Sequence, residues 1–483
     1  MSRLVAQRVG DAWVETDDRA EDLNPSKLSD VVAEVAQANA NVASAAIDAA
    51  ADAFPKWRRT PMVERGLILA RAATLLRERA GVIATDIARE MGKTLGEATG
   101  EVGKAADFFD YYAGVARFPY GELLSDGRAN TVSSSRREPV GVVVAITPWN
   151  DPILTPARKL GPALVSGNTI VLKPAADSPL AAYHLVTAIL DAGAPAGVIN
   201  LVLGRSSVVG PVLLDHPRTA ALTFTGSTEV GYSLQRQLAG RAVRVQTELG
   251  GKNAAVVLAD ADLDLAVAAL MDGAFRQAGQ RCTATSRIIA AREVYDELLE
   301  RLEAATAAIR VGPALDATTG MGPVVSSAQL EAVLRHVREA REDGATVVAG
   351  GENVSEGALA DGCFMQPTIL ADVDDEMRIW RNEVFGPVIA LRSVDDFDSA
   401  VAAANDSSYG LAAAVFTKDL EHAERFIDEV DAGQISVNLP TPGWDVHLPF
   451  GGFKDSGSPF KEQGLPGLQF YTRIKTAAVR RAA

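Results

Sequence analysis

Cys282 and Glu248 are the residues of this chain best suited to covalent chemistry, because one offers a thiol nucleophile and the other a carboxylate base. Cys282 lies in the segment 279–283 (GQRCT), and Glu248 directly precedes Leu-Gly-Gly. A cysteine attacks only as its thiolate and from an accessible loop, and nearby glycines permit tight turns and a mobile carboxylate. The alternatives are an inert buried cysteine and a solvated glutamate. Cys363, in an apolar turn-like stretch without a base motif, fits the inert role better.

Asn150 stands where a third functional group would be needed. It follows the apolar run 141–146 and precedes a helix predicted to begin near Pro152. Attack of a thiolate on a carbonyl creates an oxyanion, which an asparagine amide and the backbone N–H of Cys282 can stabilise. Asn150 is also a good helix cap. Because Asp151 caps equally well with Pro152 at the first helical position, Asn150 is free for chemistry.

The elements that must position these residues read as alternating strands and helices. Four short apolar runs predict buried strands, at 140–146, 169–173, 198–203 and 220–224. Helical stretches separate them, at 152–166, 179–192 and 207–215. This alternation predicts a doubly wound parallel sheet.

The rest of the chain is predicted more coarsely. The first 20 residues are polar and are predicted to be irregular, with a turn following at Asn24-Pro25. Helical stretches are predicted at 41–80 and 81–117. After Gly250 a second α/β unit is predicted from helices at 264–278, 293–310, 397–405 and 419–430 and a strand at 286–291. Segments 136–138 and 470–480 have strand-like content but no local partner.

Composition narrows the class of protein. A chain of 483 residues predicts two or more domains, and a net charge of -15 disfavours nucleic acid as a partner. Two cysteines and five scattered histidines give no disulfide framework or zinc spacing, so we expect no catalytic metal. No signal peptide and no apolar run of about 18 residues is evident, so we expect a cytoplasmic protein without a membrane span.

Four motifs in order carry a resemblance to the aldehyde dehydrogenase superfamily. They are 147–150 (TPWN), 246–252 (QTELGGK), 279–283 (GQRCT) and 383–387 (EVFGP). The pattern is most similar to 2-oxoglutarate semialdehyde (2,5-dioxopentanoate) and succinic semialdehyde dehydrogenases. The resemblance implies that Cys282 is the nucleophile, that Asn150 helps bind the oxyanion, and that Glu248 activates the hydrolytic water. Relatives that transfer the acyl group to coenzyme A generally lack this glutamate, so a free acid is the implied product.

The resemblance also implies the architecture: an α/β fold with a Rossmann-like, doubly wound cofactor domain, an α/β catalytic domain and a β oligomerisation arm. The implied boundaries are 1–117 and 140–249 for the cofactor domain, 250–469 for the catalytic domain, and 118–139 with 470–483 for the arm. A homodimer or homotetramer is expected.

A nicotinamide dinucleotide, NADP or NAD, is the implied cofactor, although the chain has no G-x-G-x-x-G sequence. The loop 224–231 (FTGSTEVG) ends a predicted strand and opens a helix, which suits a phosphate but is weak evidence alone. The resemblance assigns the cofactor to Thr147, Pro148, Trp149, Lys173, Gly226, Ser227, Gly231, Leu249, Glu383 and Phe385. NAD-preferring relatives usually carry a glutamate where this chain has Ala176. Alanine beside Lys173 would tolerate a 2′-phosphate, and Ser178 would add a hydroxyl.

The substrate is predicted to carry a carboxylate. Asp151, Thr155 and Arg158 fall on one face of the helix after Asn150. Arg158 and Arg276 match arginines that bind a substrate carboxylate in succinic semialdehyde dehydrogenases, and guanidinium suits that ligand. Asp151 either pairs with Arg158 and cancels its charge, or favours a substrate with a hydroxyl or amine.

Arg281, Trp444 and Phe450 complete the predicted substrate pocket. Two rival functions stay open at this point. One is oxidation of neutral or aromatic aldehydes, with Arg158 and Arg276 engaged elsewhere. The other is a cofactor-independent cysteine thioesterase or esterase, which would not need Lys173 or Glu383.

Overall fold

The N-terminal segment forms strands, so the prediction of an irregular start is wrong. The computed structural model describes residues 3–481. The first five strands are β1 (Arg3–Val5), β2 (Gln7–Val9), β3 (Ala12–Val14), β4 (Arg19–Asn24) and β5 (Lys27–Ala36). β4 and β5 flank the predicted turn, whereas β2 pairs with a strand near residue 200. Three-residue strands with distant partners leave no local pattern to detect.

Each predicted long helical stretch, 41–80 and 81–117, is a pair of helices. They are α1 (Ala40–Trp57), α2 (Met62–Glu78), α3 (Ala80–Met91) and α4 (Leu95–Val115). Gly92 ends α3 with a φ of +90°, a left-handed conformation that glycine adopts without strain. Thr94 then begins α4 through a capping box with Glu97.

A three-stranded antiparallel sheet explains the strand-like segments that lacked a local partner. β6 (Gly121–Leu124) pairs with β7 (Thr131–Pro139), which pairs along its whole length with the C-terminal strand Thr472–Arg480. The partners are more than three hundred residues apart in sequence, so only the tertiary fold reveals the pairing. Residues 1, 2, 482 and 483, which the predicted boundaries include, lie outside the described residues.

A seven-stranded sheet with five parallel strands confirms the predicted doubly wound unit. Its main strands are β8 (Val142–Ile146), β9 (Thr169–Lys173), β10 (Ile199–Leu201), β11 (Thr219–Thr225) and β12 (Arg244–Glu248). The intervening helices are α5 (Leu154–Ser166), α6 (Pro179–Asp191), α7 (Ser206–Asp215) and α8 (Thr228–Leu238). The strand order is β12-β11-β8-β9-β10-β2-β3.

This order places a topological switch point between β8 and β11. From β8 the chain winds outward through β9 and β10, and it then returns to the other side of β8 with β11. Ligands of open α/β sheets bind at the carboxyl ends of strands at such a point. Both faces of the sheet are covered, because Val143 and Ala145 belong to one apolar core and Val142 and Val144 to another.

A second seven-stranded sheet follows. Its strands are β13 (Asn253–Val257), β14 (Thr285–Ala291), β15 (Thr346–Ala349), β16 (Thr368–Ala371), β17 (Val388–Val394), β19 (Ala412–Phe416) and β20 (Gln434–Val437), in the order β15-β16-β17-β14-β13-β19-β20. All neighbours are parallel except β15 and β16.

The helices around this sheet include those predicted. They are α9 (Leu263–Phe275), α10 (Arg292–Ala307), α11 (Ser327–Asp343), α12 (Arg378–Arg381), α13 (Phe397–Asn405) and α14 (Leu420–Glu429), and α15 (Leu468–Tyr471) precedes the C-terminal strand. β18 (Tyr409–Gly410) pairs with β21 (Phe453–Lys454) outside the sheet. Within residues 3–481, no helix combines the length and the apolar character that crossing a membrane requires.

Candidate active site

One cavity of about 710 Å³ gathers Cys282, Glu248 and Asn150. Most of the other predicted site residues line it as well: Pro148, Trp149, Asp151, Thr155, Arg158, Gly226, Ser227, Leu249, Arg276, Arg281, Glu383, Phe385, Trp444 and Phe450. Five predicted cofactor residues are not in its lining: Thr147, Lys173, Ala176, Ser178 and Gly231. The switch point of the first sheet therefore opens onto the loop of the predicted nucleophile.

The loop before Cys282 has an unusual backbone. The predicted helix 264–278 ends early, at Phe275, because Gln277 and Ala278 are left-handed with φ of +54° and +52°. Such residues cost free energy that the surroundings must offset. The Glu97 carboxylate accepts the Gln277 N–H at 2.8 Å. A β-carbon at Gly279 would overlap the carbonyl oxygen of Gly386, so this position requires glycine.

Gln280 links this loop to Asn150. Its backbone carbonyl accepts the Asn150 Nδ2–H group at 2.9 Å. The Gln280 side chain is fully buried, donates to the Gln277 carbonyl at 3.1 Å and accepts the Val325 N–H at 2.9 Å. One amide hydrogen of Asn150 is thus engaged, and the other is left for an oxyanion. No sequence motif suggested this positioning role for Gln280.

The helix after Asn150 is capped differently from the prediction. α5 begins at Leu154 rather than near Pro152, and Asp151 does not cap it. Instead the buried Glu101 of α4 accepts the N–H groups of Ile153 and Leu154, each at 3.0 Å. A carboxylate from another helix satisfies the same orphan donors and suits the helix dipole. Local sequence could not reveal it.

Asp151 does not pair with Arg158, one of the two alternatives left open above. Its Oδ1 lies 3.4 Å from the Nζ of Lys93, which also lies 2.5 Å from Glu101. Lys93 is fully buried. Arg158 instead lies 3.5 Å from Glu462 and places its guanidinium 4.5 Å from the ring centre of Phe450. Asp151 and Arg158 therefore keep separate charges in one cavity.

Glu248 is buried and unpartnered. It ends β12 with 2 % exposure, and neither carboxyl oxygen has a hydrogen-bond partner within residues 3–481. A β-carbon at Gly451 would come within 2.7 Å of Oε1, so glycine makes room for this side chain. Burial, and then the negative charge of Glu462, raise its pKa well above the usual range. Within residues 3–481, no hydrogen bond fixes the orientation of the carboxyl group.

A second buried ion pair, Lys159 with Glu462, was not predicted from the sequence. Lys159 pairs with Glu462 and donates to the Thr223 hydroxyl at 2.9 Å. Since these partners are 303 residues apart, no local spacing points to the pair.

The predicted substrate residues differ in exposure. Arg158 is 11 % exposed, whereas Arg276 is 58 % exposed and pairs with Asp272 at 2.9 Å. The Nε atoms of Arg158 and Arg281 are buried and have no hydrogen-bond partner within residues 3–481. Trp444 donates from Nε1 to the Thr441 carbonyl at 3.0 Å.

The predicted cofactor residues Glu383 and Phe385 lie where backbone segments approach closely. Glu383 accepts the Gly251 N–H at 2.9 Å, and a β-carbon at Gly250 would overlap its carboxylate. Burial raises the pKa of Glu383 to about 7. The rings of Trp149 and Phe385 meet edge to face at 5.3 Å.

The other predicted cofactor residues lie deeper or elsewhere. A β-carbon at Gly231 would overlap the Leu249 side chain, so a larger residue there would displace Leu249. Lys173 is buried and donates to the Ser206 hydroxyl at 2.8 Å. Ala176 lines another cavity of about 490 Å³ together with Asp177. Burial lowers the pKa of Lys173, and the negative charge of Asp177 raises it by a smaller amount. Asp177 was not among the residues predicted from the sequence. The hydroxyls of Thr147 and Ser178 are buried without partners within residues 3–481.

The surroundings of the Cys282 thiol disfavour its ionisation. Burial, followed by the charge of Asp151, raises the pKa of Cys282 to about 12. The Cys282 carbonyl accepts the Asn253 Nδ2–H group at 2.8 Å, so the backbone at Cys282 is held in place. Activation therefore needs a base or a positive charge brought to the thiol.

Comparison with known proteins agrees with this geometry. The sequence model described as "Aldehyde dehydrogenase family" matches residues 13–477. The chain is 45 % identical to the alpha-ketoglutarate semialdehyde dehydrogenase of Haloferax volcanii, covering 97 % of each chain. It is 40 % identical to the alpha-ketoglutaric semialdehyde dehydrogenase of Bacillus subtilis, covering 95 % of this chain and 94 % of that one.

A solved structure gives the same answer for the fold. Betaine aldehyde dehydrogenase of Staphylococcus aureus, in complex with NAD+, superposes with a TM-score of 0.96 at 34 % identity, covering 98 % of this chain and 95 % of that one. Family match, sequence identity and fold agree over nearly the whole length. This chain belongs to the aldehyde dehydrogenase family.

Proposed function

We propose that this enzyme oxidises a short aldehyde carrying a carboxylate to the corresponding diacid, with NADP or NAD as cofactor. The main support is that Cys282, Glu248 and Asn150 share a cavity with two guanidinium groups, those of Arg158 and Arg281. The Nε–H groups of both arginines lack hydrogen-bond partners within the described residues. Unpaired buried donors favour an anionic ligand. Relatives named for alpha-ketoglutarate semialdehyde support the same class; succinic semialdehyde is the other candidate.

The mechanism assigns a proton or a bond to each catalytic residue. The Cys282 thiol loses its proton to water, and the resulting thiolate adds to the aldehyde carbon. The Asn150 amide and the Cys282 N–H stabilise the oxyanion of the thiohemiacetal. The oxyanion collapses to a thioester as the carbon loses hydride. Glu248 then takes a proton from water, which attacks the thioester; Cys282 leaves and the acid is released.

The residues present fit a dinucleotide. Ser227 precedes α8 without a side-chain cap, so N–H groups at the start of that helix are available to a phosphate. The buried Thr225 hydroxyl beside them lacks a partner within residues 3–481. Lys173 would contact the adenosine ribose and Glu383 the nicotinamide ribose. When bound, an oxidised nicotinamide accepts the hydride and brings a positive charge.

Ala176→Glu is expected to shift cofactor selectivity from NADP towards NAD by about tenfold to a hundredfold. A carboxylate there repels a 2′-phosphate and can accept hydrogen bonds from the ribose hydroxyls. The measurement is kcat/KM for each cofactor at fixed aldehyde. Ala176→Gln is the matched control, equal in size but neutral; an equal shift in that variant would contradict the electrostatic explanation.

Arg158→Met tests the substrate class. We expect KM for 5-oxopentanoate to rise about tenfold to a hundredfold, because a charged hydrogen-bonded pair is lost. Pentanal, a neutral aldehyde of the same length, should change little. Arg276→Met is the comparison variant, with a smaller expected effect because Arg276 is exposed and already paired. Equal losses on both aldehydes would overturn the carboxylate pocket.

Aldehyde oxidation and thioester hydrolysis assays on the wild-type protein separate the rival functions. A wild-type preference for pentanal or benzaldehyde over 5-oxopentanoate would support a neutral-aldehyde dehydrogenase. Thioester hydrolysis at full rate without a cofactor, with no aldehyde oxidation in its presence, would support the esterase alternative.

We also propose a homodimer or homotetramer, assembled through an arm formed by 118–139 and 470–483, and a cytoplasmic location. The three-stranded sheet supports this assembly, because Leu123, Ile474 and Val479 are 82 %, 67 % and 62 % exposed on it. Exposed apolar side chains on an edge sheet favour covering by another chain. We further propose that residues 1–117 and 140–249 form the cofactor domain and that residues 250–469 form the catalytic domain.

A further inference from the structure

The cavity wall next to Asn150 carries a carboxylate that the proposed chemistry does not use. Asp151 lines the cavity and keeps 17 % of its side chain exposed. Among residues 3–481 its ion-pair partner is Lys93 alone, reached through Oδ1, and Oδ2 accepts no hydrogen bond. Asp151 therefore presents a free acceptor to whatever occupies the cavity.

Lys93 holds Asp151 in place without neutralising it. The buried ammonium lies nearer to Glu101, at 2.5 Å, than to Asp151, at 3.4 Å. One positive charge is thus shared by two carboxylates, and Glu101 takes the closer contact. The charge of Asp151 is felt inside the cavity, since it is the largest cause after burial of the raised pKa of Cys282.

The arginines of the cavity leave this charge uncompensated. Arg158 faces Glu462 and Arg276 faces Asp272. Within the described residues neither of these, nor Arg281, forms an ion pair with Asp151. A ligand complementary to this wall needs a carboxylate for the guanidiniums and a hydrogen-bond donor for Asp151.

We propose that Asp151 is a specificity-determining residue that selects acid aldehydes bearing a hydroxyl or ammonium group on the carbon chain. This inference rests on the proposed function and changes the order of preference within its substrate class: hydroxy and amino acid aldehydes rank above the 2-oxo and unsubstituted acid aldehydes named there. A hydroxyl or ammonium group on the substrate can donate a hydrogen bond to Oδ2 of Asp151. A methylene in the same position leaves that oxygen without a partner, and a ketone oxygen repels it because both are acceptors. Sites built around a buried hydrogen-bonding group reject analogues that leave it unpaired.

Asp151→Asn tests the proposal with five aldehydes of one length: 5-oxopentanoate and its 2-hydroxy, 4-hydroxy, 2-amino and 2-oxo derivatives. Relative to 5-oxopentanoate, kcat/KM for the best hydroxyl substrate, the amino substrate, or both is expected to fall about tenfold to a hundredfold in the variant. The 2-oxo substrate should lose less or gain, because an amide can donate to a ketone. For each aldehyde, kcat/KM of the variant is divided by that of wild type. The cyclised or hydrated fraction of the aldehyde does not affect this ratio, because it is the same for both proteins.

Two readouts separate the possible failures. A uniform change across all five aldehydes, or none, would make Asp151 a structural residue and overturn the proposal. Asp264→Asn is the matched control, since Asp264 is 92 % exposed, pairs with Arg301 and is absent from the cavity lining; its substrate ratios should equal those of wild type. If wild type oxidises pentanal as well as 5-oxopentanoate, the proposed function fails independently of the Asp151 ratios.

Discussion

Replacing Cys282 with alanine is expected to lower aldehyde oxidation by about four orders of magnitude or more, because no thiohemiacetal can form. The thiol has no substitute in the cavity, since the other cysteine, Cys363, is fully buried in the apolar core of the second sheet. The measurement is the initial rate of cofactor reduction at 340 nm with 5-oxopentanoate.

Cys363→Ala is the matched control for this prediction. Its Sγ lies 3.6 Å from the Ser327 hydroxyl, far from any role in the mechanism above. We expect unchanged turnover and a free energy of unfolding lower by about 1 kcal/mol, the scale of a small cavity in a packed core. Loss of turnover in Cys363→Ala with activity retained in Cys282→Ala would mean that the nucleophile is misassigned.

Glu248→Gln is expected to block the second half of the reaction. The thioester should form and then persist, so cofactor reduction should show a burst of one equivalent per active site followed by a rate lower by about a hundredfold or more. Only the ionised carboxylate accepts a proton from water. Because burial raises the pKa of Glu248 well above its usual range, wild-type deacylation should accelerate as pH rises through that raised pKa. The glutamine variant should lose this pH dependence.

Stability distinguishes this chemical loss from misfolding. A carboxyl group whose pKa is raised in the folded state destabilises the fold once the pH exceeds its unfolded pKa, because ionisation is then favoured on unfolding. Glutamine cannot ionise, so the thermal midpoint of Glu248→Gln at neutral pH should equal or exceed that of wild type. A midpoint equal to or above that of wild type together with no burst would contradict the assigned role, whereas a lower midpoint would identify a misfolded variant.

Local patterns were sufficient for much of the fold. Apolar runs of about five residues between turns predicted β8, β9 and β11, since strands buried on both faces carry little else. The same reasoning missed β2 and β3, which have three residues each; β2 pairs with the remote strand β10, and β3 pairs with β2. It also ran α9 through Gln277 and Ala278, because helix propensity does not register a left-handed turn that neighbouring loops impose.

By itself, the sequence determined the family and supplied the thiol, carboxylate and amide of the proposed chemistry, because residue types in ordered motifs can be read without coordinates. The tertiary structure alone decided how those groups are charged and held. Glu101 rather than Asp151 caps α5, Lys93 rather than Arg158 pairs with Asp151, and Lys159 pairs with Glu462. These partners come from distant elements, and electrostatic pairing depends on separation and burial in space rather than on spacing along the chain.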